Sequence, residues 1–172
     1  GRFKKAWKRT IPENPGMGAL EILQAAEEGR IKGLYIVGEN PAVTYPDADR
    51  TKRALAALDF LVVQDCFLTE TASSAHVVLP AVTFAEKEGT FTNVERRAQR
   101  VRPALQPIGE ARPDLWIFQE LAKAMGTSFG RISAKSVMDE VRSLLPLYGG
   151  MEYARLDKSS GLQWPCPSVD HP

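Results

Sequence analysis

The sequence has no long uninterrupted apolar run, nothing approaching the stretch of about 18 residues that a helix needs to cross a bilayer. It has only two cysteines, Cys66 and Cys166, a hundred residues apart, and only two histidines, His76 and His171. So sparse a supply excludes a disulfide framework and a four-ligand metal site, and the expected setting is the reducing cytoplasm. Neither sign of charge is in excess: 22 basic side chains face 21 acidic ones, for a formal net charge of +1. A nucleic-acid partner requires a concentrated positive face, so this balance argues against one. The opening GRFKKAWKRTIPENPG is basic but has no apolar core segment and no initiator Met. It does not read as a secretory signal. We expect residues 1–17 to be a lead-in from a preceding segment of a longer polypeptide.

What is present fits a globular protein. The 172 residues are enough to bury a core, and 44% hydrophobic with 25% charged residues is an ordinary folded composition. Ala19, Ile22, Leu23 and Ala26 recur at helical spacing, with Gly29 placed as a C-terminal cap. Gly33-Leu34-Tyr35-Ile36-Val37 is then a continuous apolar run, the pattern of a parallel strand covered on both faces. Residues 47–58 return to helix, 61–63 and 77–79 to strand. This alternation predicts an α/β fold: a three-layer, Rossmann-like domain with a mainly parallel sheet, over residues 18–146. Past Pro80 the texture changes, and any strand in the charged ERRAQRVRP is expected to be edge-like or exposed. Helices are predicted from Pro113 to Gly126 and over 134–145, and the Gly- and Pro-rich residues 147–172 are expected to form an irregular C-terminal arm.

Ligands of such sheets sit outside the carboxyl ends of the strands. The strand ends here carry Gly38-Glu39-Asn40-Pro41 and Gln64-Asp65. The first could be a plain turn, or a loop whose glycine lets the backbone approach a phosphate with Asn40 as donor. Asp65 could cap a turn, or accept the paired N1–H and N2–H donors that only guanine presents among the purines. Thr69 and Thr71 could cap a short helix or bond a nucleotide. Glu86, Glu88 and Glu95 read as exposed ion-pair partners rather than catalytic acids. Arg96, Arg97, Arg100 and Arg102 read as solvated or intramolecular surface. Cys66 has no histidine nearby to activate it and reads as a buried small hydrophobe, and His76 as a satisfied edge histidine.

The ordered series GLYIVGENP, VVQDCFLTETA, VVLPAVTFAEKEGTFTNVERRAQRV, GEARPDLWIFQELAKAMG and GLQWPCP resembles the molybdopterin oxidoreductases, most of all the catalytic (alpha) subunits of formate dehydrogenases. Similar segments occur in the large iron–sulfur subunit of NADH–quinone oxidoreductases and in nitrate reductases, so a non-catalytic scaffold or electron-transfer role is the alternative. The resemblance implies two molybdopterin guanine dinucleotides around one molybdenum or tungsten in the parent enzyme, with an iron–sulfur cluster elsewhere in it. It places the family's purine-binding acid and threonine on Asp65 and Thr69, and a cofactor-approaching glycine on Gly89. Gly38, Glu39 and Asn40 fall near the dinucleotide by position. The family's metal-ligating Cys or selenocysteine, its following His and its catalytic Arg have no counterpart here. The resemblance therefore implies an internal cofactor-binding segment, inactive alone, whose partners are the remaining domains and electron-transfer subunits of a formate-oxidising parent.

Overall fold

In the computed structural model, which describes residues 1–171, the elements follow in the order α1 (Arg2–Trp7), α2 (Ala19–Glu27), β1 (Gly33–Val37), α3 (Pro41–Thr44), α4 (Ala48–Ala56), β2 (Phe60–Asp65), α5 (Glu70–Ser73) and β3 (Val77–Pro80). They continue with β4 (Gly89–Thr92), β5 (Arg97–Val101), α6 (Asp114–Ala124), α7 (Ala134–Leu144), α8 (Tyr153–Leu156) and β6 (Leu162–Gln163). The chain divides into two units, one of residues 13–82 and 107–112, the other of 1–12, 83–106 and 113 onward.

The first unit is built on a three-stranded parallel sheet, β1-β2-β3. The two longer helices of this unit have defined ends, and Gly29 stands at the stop expected for it. Asp47 caps α4 by accepting the Arg50 N–H at 3.0 Å, and Gly29 ends the α2 segment with φ +70°. Leu34 and Ile36 of β1 lie opposite Leu61 and Val63 of β2, and this face packs against Leu23 and Ala26 of α2, Ala54 and Leu55 of α4, and Ala72 of α5. Leu61 and Val63 are fully buried.

The expected parallel α/β arrangement is present, but the strands are not covered on both faces among the described residues. Tyr35, Val37 and Phe60 alternate with the core positions and are 39–51% exposed. A continuous apolar run does not report which of its two faces a neighbour covers. His76 behaves as an edge residue, its Nδ1 accepting the Leu61 N–H at 2.9 Å.

The second unit contains an antiparallel sheet, β4-β5-β6. The charged strand expected to be edge-like is its centre. Ala98 is buried in the core, while the arginines flanking it find partners within the unit. Arg100 lies over the Tyr153 ring, 3.9 Å from its centroid, and donates to Asp157 at 2.9 Å; Arg102 also donates to Asp157. Its arginine-rich pattern thus reflects intramolecular pairing rather than exposure.

The stretch expected as an irregular arm is also structured, with Met151, Leu156 and Cys166 at most 1% exposed. Gly150 permits this: a Cβ there would sit 1.9 Å from the Ser168 carbonyl oxygen. Arg155 completes the clasp by donating to the carbonyls of Gly150 (2.9 Å), Ser168 (3.2 Å) and His171 (2.6 Å). Part of the basic lead-in, residues 1–12, groups with this unit and contains α1.

Hydrogen bonding from Arg100 is the main reason that the Asp157 carboxyl titrates below its ordinary value, with Arg102 adding to it. A carboxyl more acidic folded than unfolded contributes stability above its unfolded pKa and loses it as pH falls through the folded one. The second unit should therefore melt at lower temperature as pH is lowered below the ordinary aspartate pKa of about 4, and Asp157→Asn should lessen that dependence in a thermal scan.

Candidate functional site

The carboxyl ends of β1 and β2 are set side by side by the ladder, and Gly38 N–H extends it by donating to Gln64 O at 2.8 Å. Gly38 then takes φ +64°, a left-handed conformation that turns the chain out of the strand and that side chains disfavour. Nothing lies within 4 Å of where its Cβ would be, so the space outside the turn is open. Glu39 is exposed beside Tyr45, whose hydroxyl is pushed above its usual pKa by partial burial and by hydrogen bonding to Glu39. The two residues belong to a cavity of about 260 Å³ that also meets Tyr35 and Val37.

Asn40 faces inward, where its side chain fastens this loop to the next one. Its Oδ1 accepts from Thr71 Oγ1 at 2.7 Å and from Thr71 N–H at 3.2 Å, and its Nδ2 donates to Glu70 at 2.8 Å. That bond from Asn40 is the main reason the Glu70 carboxyl is held below its ordinary pKa. Thr71, fully buried, returns an acceptor to the Ala42 N–H at 3.1 Å. The sequence reading weighed Thr71 as a cap or a nucleotide contact and missed its role as the anchor. The separation of 31 residues between partners leaves no local signal for it.

Asp65 ends β2 half-buried, its Oδ1 accepting the Phe67 N–H at 3.0 Å in a tight turn. No cation pairs with this carboxylate among the described residues, and Oδ2 accepts no hydrogen bond there. Thr69 caps α5: its Oγ1 accepts the Ala72 N–H at 3.1 Å, so the hydroxyl proton has no acceptor among the described residues. The capping roles weighed for both residues are therefore present, and each keeps one polar function directed elsewhere. Asp65, Thr69, Gly38, Glu39 and Asn40 are all brought to one edge of the parallel sheet.

Cys66, between Asp65 and Thr69, is exposed, which corrects the expectation of a buried small hydrophobe; the buried thiol is Cys166. The strand ends one residue earlier, and the turn lifts Cys66, Phe67 and Leu68 away from the core.

Gly89 belongs to the other unit. It opens β4 and lines a cleft of about 530 Å³ with Lys87, Phe91, Asp114, Met138 and Tyr153. Its carbonyl accepts from Arg100 at 3.3 Å, and no atom lies within 4 Å of a Cβ built on it. The Tyr153 hydroxyl is buried there with no hydrogen-bond partner among the described residues, and burial raises its pKa although Arg100 pulls the other way. Glu86, read as an exposed ion-pair partner, is buried instead: its carboxylate closes a turn by accepting Thr83 N–H and Oγ1, both at 2.8 Å. Among the described residues no group of three or more His, Cys, Asp or Glu side chains is placed to hold a metal, and no helix is long and apolar enough to cross a membrane.

The sequence profile of the molybdopterin oxidoreductase family matches residues 4–124, covering both the parallel sheet and the Gly89 strand. The chain belongs to that family. Among its relatives are the F420-dependent formate dehydrogenase subunit alpha of Methanocaldococcus jannaschii, 46% identical over 98% of this chain and 25% of that protein, and a putative formate dehydrogenase of Bacillus subtilis, 41% identical over 95% of this chain and 17% of that protein. The chain thus spans a quarter or less of the curated relatives it matches. Acetylene hydratase from Pelobacter acetylenicus, 23% identical, shares the fold over 83% of this chain and 20% of its own, with a TM-score of 0.66. For this member of the molybdopterin oxidoreductases, the exposure of the two thiols makes a direct check. Ellman's reagent should modify Cys66 rapidly in the native protein and Cys166 only on unfolding; equal rates would contradict the turn after Asp65.

Proposed function

We propose that this chain is a cofactor-holding segment of a formate dehydrogenase-like enzyme, and that the carboxyl edge of its parallel sheet takes the guanine end of a molybdopterin guanine dinucleotide. In this reading Asp65 accepts the N1–H and N2–H pair of the base, and the Thr69 hydroxyl donates to the same nucleotide. Gly38 and Glu39 face the dinucleotide across the open turn, and Asn40 positions that turn. Gly89 offers backbone to the cofactor in the other unit. When bound, the cofactor supplies a molybdenum or tungsten centre able to carry two electrons, and the intact parent oxidises formate to carbon dioxide. The partners are the parent's remaining domains and electron-transfer subunits, in the cytoplasm, with an iron–sulfur cluster outside this segment.

The observation that carries the reading is the donor and acceptor chemistry at the strand end. A carboxylate without a cation, with one oxygen fixed and the other open, suits a ligand presenting two adjacent N–H donors. Adenine presents an acceptor at N1 in place of a donor, so the same carboxylate opposes it. The family membership and the formate dehydrogenase names of its relatives support the larger assignment.

Asp65→Asn separates the two uses of the side chain. Its amide oxygen still accepts the Phe67 N–H, so the turn persists, while a neutral side chain with a donor of its own cannot receive the guanine pair. Binding of guanosine diphosphate should weaken by about 1–3 kcal/mol, the scale for a hydrogen bond to a charged group, and the much weaker binding of adenosine diphosphate should not weaken with it. A chemical-shift titration over the amides of residues 65–69 reads both. Equal affinity of the two proteins for guanosine diphosphate would overturn the assignment.

A further inference from the structure

The loop between Asp65 and Thr69 carries two large apolar side chains that the core does not use: Phe67 is 70% exposed and Leu68 is 75% exposed. They lie in the chain between the two residues proposed to hold the nucleotide, Asp65 and Thr69. Their backbone is shaped by the site itself, since the Asp65 carboxylate accepts the Phe67 N–H at 3.0 Å and Thr69 caps the helix that follows. Holding such surface in water is unfavourable by roughly 25 cal/mol for each Å² left uncovered, a bias that a ligand can recover. A purine held edge-on by Asp65 leaves both its flat faces in want of cover.

Resting on the guanine reading above, we infer that Phe67, assisted by Leu68, forms an apolar cover for one face of the base held by Asp65. The aromatic ring is a positioning residue that excludes water from the carboxylate–base pair. Asp65 then discriminates by hydrogen bonding and Phe67 supplies stacking that any purine would accept. Because the Asp65 contact is to the Phe67 backbone, changing the Phe67 side chain leaves the turn intact.

The test is titration of guanosine diphosphate into the protein, followed by chemical shifts of the amides of residues 65–69, which resolve millimolar affinities. Phe67→Ala should weaken binding about tenfold, the scale of losing one base–aromatic stack. Phe67→Trp should restore it, and Leu68→Ala should have a smaller effect. Thermal unfolding of Phe67→Ala should match the parent protein, because the side chain is outside the core. The ratio of guanine to adenine affinity should be unchanged in Phe67→Ala and collapse in Asp65→Asn. Wild-type affinity in Phe67→Ala, with Asp65→Asn still impaired, would overturn the cover alone. The absence of any saturable shift in the wild-type protein would overturn the guanine reading and the cover with it.

Discussion

The pairing of Asn40 with Thr71 is the interaction on which the ligand edge of the parallel sheet depends. Two loops leave that edge, one after β1 and one after β2, and neither is long enough to have a core of its own. The Asn40 amide bonds both the backbone and the hydroxyl of Thr71, while Thr71 receives the Ala42 N–H. Each of these groups lies where water reaches poorly, so losing one partner leaves another unsatisfied rather than merely free. The left-handed turn at Gly38 delivers Asn40 to this position, and buried Pro41 and Ala42 hold it there. Everything proposed for Asp65 and Thr69 presumes a rigid frame, and this small polar knot supplies it.

The other unit reaches order by different means. Its sheet is centred on a strand rich in arginine, and its last thirty or so residues have little periodicity of any kind. Around an apolar core that includes Ala98, Met138, Met151 and Leu156, guanidinium groups each satisfy several acceptors: Arg100 between Asp157 and the Tyr153 ring, and Arg155 across three carbonyls. The planar fork of arginine suits such multiple bonding, which lysine could not reproduce. The buried Tyr153 hydroxyl in the cleft beside Gly89 has no hydrogen-bond partner among the described residues.

Local chemistry made much of the first unit readable. β1 matches the apolar run residue for residue, the caps at Asp47 and Gly29 lie where helix boundaries require them, and Asp65 stands at a strand end as the alternation implies. Other features resisted reading for physical reasons. Arginine and glutamine alternating in a strand look exposed unless their partners, more than fifty residues away, are known. The glycines and prolines near the C-terminus signal irregular backbone, yet Gly150 is there because two backbones meet. Cys66 was judged by its residue type, and the turn one position earlier decided its exposure. The uncovered face bearing Tyr35 and Val37 belongs with these, since an apolar strand does not reveal where its second cover comes from.

The turn at Asp65 has one more consequence, which is entropic. A free aspartate side chain samples several rotamers, and a ligand that fixes it must offset that lost freedom. Here the Phe67 N–H has already selected one orientation during folding. The conformational loss is charged to the fold and not to the encounter, so a base arriving at this carboxylate would keep more of its hydrogen-bond energy as affinity.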